Sequence, residues 1–242
     1  TRTYARRSCL WVPVDPTHPL WDGRCGTLTI KLQHSKSKAG AEVETIKADV
    51  SSDAVCKAMA EAVEKRWGGA RHLINNAGRT KFVEQRNLDG LSAEDFQSIY
   101  AVNVIGAFQM SRAFAPLLRK QPGASIVNVS SIAAVAGRGS SIAYMASKGA
   151  LNTMTIALAR ALGPEIRVNG VGPGMIESDW LKNGYGAEAY EAMGKMYRAT
   201  SALNATISPD DVAQTIYALC TAFPKTTGET VLVDAGFRIQ KA

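Results

Sequence analysis

Tyr144 and Lys148 stand four residues apart in Tyr144-Met145-Ala146-Ser147-Lys148, thirteen residues after Ser131. Four residues is about one helical turn, so a helix here projects both side chains from one face and sets the ammonium beside the phenol. A free tyrosine, with a pKa of about 10, is a poor acid–base catalyst at neutral pH; a neighbouring cation stabilises the phenolate and lowers that value. The chemistry this trio could perform is proton exchange with a substrate oxygen, with the Ser131 hydroxyl orienting and polarising that oxygen. Ser130 is the neighbouring candidate, and the thirteen-residue spacing to the tyrosine favours Ser131.

A Tyr-x-x-x-Lys pair arises easily by accident, so the elements that would position it must carry the weight. The run Ser125-Ile126-Val127-Asn128-Val129-Ser130-Ser131 is apolar and β-branched and ends in small polar residues, as suits a buried parallel strand. In open α/β sheets ligands bind at that carboxyl end. Further strands are expected at 28–31, 44–47, 72–75, 167–171 and 230–233, with helices between them, which makes a parallel sheet covered on both faces. Ser51-Ser52-Asp53 opens a helix that Gly68-Gly69 stops near Trp67. Ser92-Ala93-Glu94-Asp95 opens a long one to about Arg119, a third runs from about Tyr144 to Leu162, and Ser208-Pro209 starts the last.

With 242 residues and 46% apolar content, one α/β domain accommodates the whole chain. No apolar run approaches the roughly 20 residues a membrane span needs, and no uninterrupted apolar signal core opens the chain, so a cytoplasmic protein without membrane association is expected. Cys9, Cys25, Cys56 and Cys220 lack metal-ligand spacing and a dense disulfide pattern; reduced thiols and no metal follow. The formal charge of +7 is spread among acidic residues without a basic, aromatic-interleaved run, which argues against nucleic acid and fits a phosphorylated cofactor.

At this point the chain resembles the short-chain dehydrogenase/reductase family. The resemblance rests on the order and spacing of Asn75-Asn76-Ala77-Gly78, Asn103-Val104-Ile105-Gly106, Ser131, Tyr144-x-x-x-Lys148, Pro173-Gly174-Met175-Ile176-Glu177-Ser178 and Thr227-Gly228-Glu229-Thr230, and runs from about Leu28 to Ile239. It implies a Rossmann-like doubly wound sheet in a single domain and a nicotinamide-dependent oxidoreductase. Ser131, Tyr144, Lys148 and Asn103 would be catalytic, with Asn103 fixing a proton-relay water near Lys148 and Lys148 also holding the nicotinamide ribose. Asp49 and Val50 would meet the adenine and Asn76 would pass beside the adenosine. Gly174 would let the backbone approach a flat ring, Ile176 would reach the nicotinamide carboxamide through its main chain, and Ser178 stands where the family usually has threonine. Structural alternatives remain at several of these positions: Asn103 as a satisfied buried amide, Asp49 as a helix-capping surface residue, Asn75-Asn76 as a turn. Residues 178–207, rich in Trp180, Tyr185, Tyr190, Met193, Met196 and Tyr197, would cover the substrate; the alternative is that they pack a helical excursion onto the core.

The family's Thr-Gly-x-x-x-Gly-x-Gly motif, whose backbone amides approach the pyrophosphate, is absent. Residues 1–26 show neither a β-run before a glycine turn nor a helical period after it, and are expected to be a frameshifted or misassigned form of a nucleotide-binding start. The stretch from Ile30 to Glu44 is short for a crossover helix, which suggests a stub. Gln33-His34-Ser35-Lys36-Ser37-Lys38 carries two lysines and no carboxylate, favouring NADP over NAD unless those lysines are a solvated loop. The overall expectation is reduction of a small-molecule ketone of 3-oxoacyl or similar type, in a homotetramer or homodimer such as the family forms through its two long helices. The alternatives are a catalytically silent assembly subunit and an alcohol dehydrogenase working in the oxidative direction.

Overall fold

The structure is a computed structural model that describes residues 46–241, together with the backbone of three short strands before them. Those strands are β1 (Cys9–Trp11), β2 (Gln33–Lys36) and β3 (Glu42–Thr45). The rest of the chain alternates helix and strand as α1 (Asp53–Trp67), β4 (His72–Asn75), α2 (Ala93–Tyr100), α3 (Ala107–Arg119), β5 (Ala124–Val129), α4 (Ala133–Ala136) and α5 (Ile142–Leu162). It continues through β6 (Ile166–Pro173), α6 (Asp179–Tyr185), α7 (Ala187–Thr200), α8 (Pro209–Thr221) and β7 (Thr230–Val233). Five strands form one parallel sheet in the order β1-β4-β5-β6-β7. The doubly wound α/β architecture expected from the alternation is the one present.

Successive residues of the central strands serve opposite faces. Leu73, Ile126 and Val168 pack with Met59 and Val63 of α1, Phe114 and Leu118 of α3 and Leu158 of α5. Val127 and Val171 pack instead against Val212, Leu219 and Cys220 of α8. On the first face two asparagines replace apolar residues at the carboxyl ends of β4 and β5. Asn75 and Asn128 are register partners, and Asn75 Nδ2 donates to Asn128 Oδ1 at 2.9 Å and to Ser111 Oγ at 3.1 Å. Asn128 Nδ2 donates to Thr155 Oγ1 at 2.9 Å. These bonds tie α3, two strands and α5 together under the site, and they make burial of four polar side chains tolerable.

The expected and observed strands part in two places. Glu42–Thr45 forms a strand near the expected 44–47, but it pairs antiparallel with Gln33–Lys36 in a separate two-stranded sheet. Too few residues separate the two for the helix that a parallel crossover demands, whereas an antiparallel return needs only a short loop. The expected strand at 28–31 lies outside the described residues. Cys9–Trp11, within a segment where no β-run was expected, pairs in parallel with His72–Ile74. Three residues are too few to leave a periodic signature, and the buried edge of β4 supplies the pairing.

The helix ends follow local chemistry. Gly68 ends α1 in the left-handed conformation, φ 72°, and donates its N–H to Glu64. Ser92 and Ser208 make reciprocal capping boxes with Asp95 and Asp211. Ser52 occupies the N-cap position of α1 without a side-chain cap bond; the preceding turn is held by Asp49, whose Oδ1 accepts from Ser51 N at 2.9 Å. The long helix from Ala93 to Arg119 is continuous but widens to a π-helix over Ala101–Gly106. Replacing Asn128 by alanine removes an acceptor from Asn75 Nδ2 and the donor to Thr155 Oγ1, and should lower the unfolding free energy by about 1–3 kcal/mol in urea titration.

Candidate active site

β5 delivers two serines to the carboxyl edge of the sheet, and the pleat sends them different ways. Ser130 Oγ turns to α5, donating to Asn152 Oδ1 at 2.6 Å and to the Lys148 carbonyl at 3.3 Å. Ser131 Oγ accepts from Ala133 N at 3.1 Å, at the start of α4, and stands close enough to the Tyr144 phenol to pull its pKa down. Ser131 is therefore the serine that shares the tyrosine's surroundings, and Ser130 fastens β5 to α5.

α5 begins two residues before the expected start, with Ser141 Oγ accepting from Tyr144 N at 3.3 Å. Tyr144 thus lies in the first turn and Lys148 one turn deeper, with its Nζ 5.6 Å from the centre of the phenol ring. Lys148 is buried, 3% exposed, and its Nζ donates to the Val129 carbonyl at 2.8 Å. Burial pushes its pKa down from 10.5 to about 8. The same cause pushes the half-buried Tyr144 up to about 12, opposed by the Ser131 hydroxyl and reinforced by the Tyr185 phenol. This reverses the direction expected from the spacing alone. Lys148 spends its described hydrogen bond on the strand, and desolvation of the phenolate dominates.

Asn103 sits in the π-helical turn, 1% exposed. Its Oδ1 accepts from Arg79 N at 2.7 Å, while its Nδ2 donates to the Arg79 carbonyl and to Ser147 Oγ, both at 2.9 Å. Both amide hydrogens are thereby used, so the side chain clamps the segment after β4 to α5 next to Lys148. A π-turn of this kind, frequent at functional sites, has no counterpart in residue type or hydrophobic spacing and was missed in the long-helix expectation.

Val50 and Asn76 line one small cleft with Ile74, Asn75, Ala77 and Val102 at the carboxyl end of β4. Asp49 lies beside this cleft in sequence, with its carboxylate engaged by Ser51 N and by Ser51 Oγ at 2.7 Å. Gly174 follows β6 and donates its N–H to the Val233 carbonyl at 2.8 Å. A Cβ there would lie 1.9 Å from Tyr197 Oη, which itself donates to the Asp234 carbonyl at 2.8 Å. Ile176 bridges to Ile207, and Ser178 is the N-cap residue of α6, its Oγ 3.5 Å from the Ile176 carbonyl.

The aromatics of 178–207 divide. Tyr190, Met193 and Tyr197 pack with Ile132, Met175 and Phe237, Tyr197 stacking on Phe237 at 4.1 Å. Trp180 and Tyr185 turn instead to Phe82, at 5.9 and 4.7 Å between ring centres, and Trp180 stands 6.5 Å from the Tyr144 ring. Phe82 was not singled out in the sequence; a lone aromatic in a loop carries no signal until a partner faces it.

A model described as enoyl-(acyl carrier protein) reductase matches residues 27–238. Over 222 residues the chain is 33% identical to a 3alpha-hydroxysteroid dehydrogenase of Mediterraneibacter gnavus, covering 90% of this chain and 86% of that one. It is 37% identical over 191 residues, 79% of this chain and 75% of the other, to a Streptomyces violaceoruber protein named as a provisional ketoacyl reductase of the granaticin polyketide synthase. Among solved structures, a short-chain dehydrogenase/reductase from Brucella melitensis superposes with a TM-score of 0.72 at 32% identity, covering 79% of this chain and 75% of that chain. The chain belongs to the short-chain dehydrogenase/reductase family.

Short-chain dehydrogenases/reductases use NAD(P) nucleotides, and one half of such a group fits the residues described. The Lys148 ammonium has three N–H donors and one described hydrogen bond, and a Cβ added at Gly78 would still be 3.8 Å from Nζ. Buried donors beside a side-chain-free residue suit the hydroxyls of a ribose. The cleft around Val50 and Asn76 suits a flat apolar base. For the pyrophosphate no glycine-rich helix start is found among the described residues, in keeping with the missing motif. Because Tyr197 fills the space beside Gly174, Gly174→Ala should cost about 1–3 kcal/mol of stability by overpacking, read as a lower urea midpoint with unchanged slope.

Proposed function

We propose that this chain is an NADP-dependent reductase that converts a ketone, of 3-oxoacyl or similar type, to a secondary alcohol. The observation that carries the reading is the placing of Tyr144 in the first turn of α5, with the buried Lys148 ammonium 5.6 Å from its ring centre and Ser131 beside it. Burial keeps the phenol protonated at neutral pH, the form from which reduction starts, and the Lys148 cation would stabilise the phenolate left behind. Ser131 and Tyr144 converge on the substrate oxygen, and their hydrogen bonds strengthen as negative charge develops there. Lys148, cationic below about pH 8, stabilises the phenolate left behind, and Asn103 keeps the loop, helix and lysine in register. Bound NADPH would supply the hydride.

Val50 and Asn76 would hold the adenosine half, with Asp49 at its edge, and Lys148 and Tyr144 the nicotinamide ribose. Gly174, Ile176 and Ser178 would lie along the nicotinamide. The preference for NADP rests on Lys36 and Lys38 and on the lack of a carboxylate in 33–38. Residues 178–207 would close over the substrate. Ile105, Phe108 and Ile156, exposed by 51, 41 and 53% on the long helices, support a homotetramer or homodimer assembled through those faces. A cytoplasmic setting, without nucleic-acid or membrane partners, suits the buried reduced thiol Cys56 and the dispersed charge. Among the described residues no helix is long and apolar enough to cross a membrane.

The missing phosphate motif favours a second reading, a catalytically silent assembly subunit. Calorimetric titration with NADPH separates the two: binding supports the reductase, and no binding of either dinucleotide supports the silent subunit. Tyr144→Phe should reduce ketone turnover by about 10³-fold with an unchanged thermal melt, and retained turnover would refute the proton donor. For the wild type, kcat/KM for reduction should be level at neutral pH and fall as pH rises through about 8, as Lys148 loses its charge. A profile level to pH 10 would remove Lys148 from the mechanism.

A further inference from the structure

Two elements far apart in sequence meet above Tyr144. The segment after β4 carries Phe82 and is fastened on both sides of it: Thr80 Oγ1 lies 2.6 Å from Ser140 Oγ, Val83 N donates to the Ser140 carbonyl at 2.8 Å, and Lys81 pairs with Asp95 at 2.7 Å. α6 brings Trp180 and Tyr185 to the same ring. Gly184 is what permits the approach, since a Cβ there would lie 2.1 Å from Phe82 Cζ. The result is an aromatic wall on a fixed base.

Trp180 is the member of this wall that the protein leaves uncovered. It is 39% exposed, and its indole N–H makes no hydrogen bond among the described residues. The Tyr190, Met193 and Tyr197 side chains of the next helix are absorbed by the core around Ile132 and Met175, so Trp180 is not simply the end of that cluster. Its ring centre is 6.5 Å from that of Tyr144, with 54° between the planes. A ring lying flat between two others needs about 7 Å and parallel planes, given carbon contacts of about 3.5 Å. The interval between Trp180 and Tyr144 is therefore too short and too tilted to hold a sandwiched ring.

We infer that the site selects a flat, ring-bearing ketone, whose ring is covered by Trp180 and Phe82 while its carbonyl oxygen reaches Tyr144 and Ser131. This rests on the reductase reading and takes a cyclic ketone in place of a linear 3-oxoacyl one. A linear 3-oxoacyl chain would meet the same hydrogen bonds but leave most of the aromatic surface wet. A fused ring removes that surface from water and gains ring–ring contact in addition.

The test compares 2-tetralone, a fused bicyclic ketone, with ethyl acetoacetate, a linear one. In the wild type kcat/KM favours 2-tetralone. Trp180→Ala should lower the ratio of the two kcat/KM values by about tenfold or more, Phe82→Ala should lower it less, and Trp180→Phe should recover most of it. A ratio in Trp180→Ala within about twofold of the wild type overturns the inference. If the wild type reduces neither ketone, the reductase reading fails by itself, and calorimetry with 2-tetralone on Tyr144→Phe protein still decides the wall. Binding weakened about tenfold by adding Trp180→Ala upholds it, and equal binding in the two proteins overturns it.

Discussion

A lysine ammonium buried to 3% exposure, with its one described hydrogen bond to the Val129 carbonyl, is the constraint around which the site is arranged. Burying a cation is costly unless its surroundings compensate, and the compensation here is drawn from several elements. β5 contributes its last carbonyl, α5 supplies the lysine and its serine neighbours, and the π-helical turn contributes Asn103, which holds the loop beyond β4 against α5 through Arg79 and Ser147. Beneath them the Asn75–Asn128–Thr155 chain fixes the relative height of two strands and α5. A shift in any of these would leave the ammonium without its partner or open it to water.

The same burial divides labour between the two ionisable groups. Low polarity lowers the lysine and raises the tyrosine, so over neutral pH the pair consists of a cation and a neutral phenol. In the proposed reduction the phenol would be the acid of the pair and the ammonium the group that steadies the charge the phenol acquires. The Ser131 hydroxyl works against the upward shift, because a hydrogen bond to the phenolate favours it. The protonation state of Tyr144 follows from the balance of these effects rather than from proximity of a lysine alone.

Much of this was legible because the relevant signals are local. His72–Asn75 and Thr230–Val233 are strands where short apolar runs placed them, Gly68 stops α1, and the helical spacing of Tyr144 and Lys148 is realised on α5. Ser131 follows β5 at the start of α4, and Asn103 bonds Ser147, next to the lysine in α5. What escaped depends on distance in sequence or on solvation. Phe82 acquires meaning only from Trp180 and Tyr185, about a hundred residues away. The direction of the Tyr144 shift depends on burial, which spacing does not encode. The π-turn at Asn103 replaces one hydrogen-bonding register by another without changing residue types. The antiparallel pairing of β2 with β3 was hidden by β-runs that look alike in either direction, although the short interval between them already disfavoured a crossover.

The central claim, that burial holds Lys148 as a cation of lowered pKa beside a protonated Tyr144, can be measured without turnover. Heteronuclear NMR of the lysine 13Cε–1Hε signals, assigned by comparison with Lys148→Met, follows the charge of this one ammonium as pH is raised. The account requires a midpoint near the value of about 8 set by burial. A midpoint at the ordinary lysine value of 10.5 would contradict it, by showing that the ammonium is solvated and the site is not built as described.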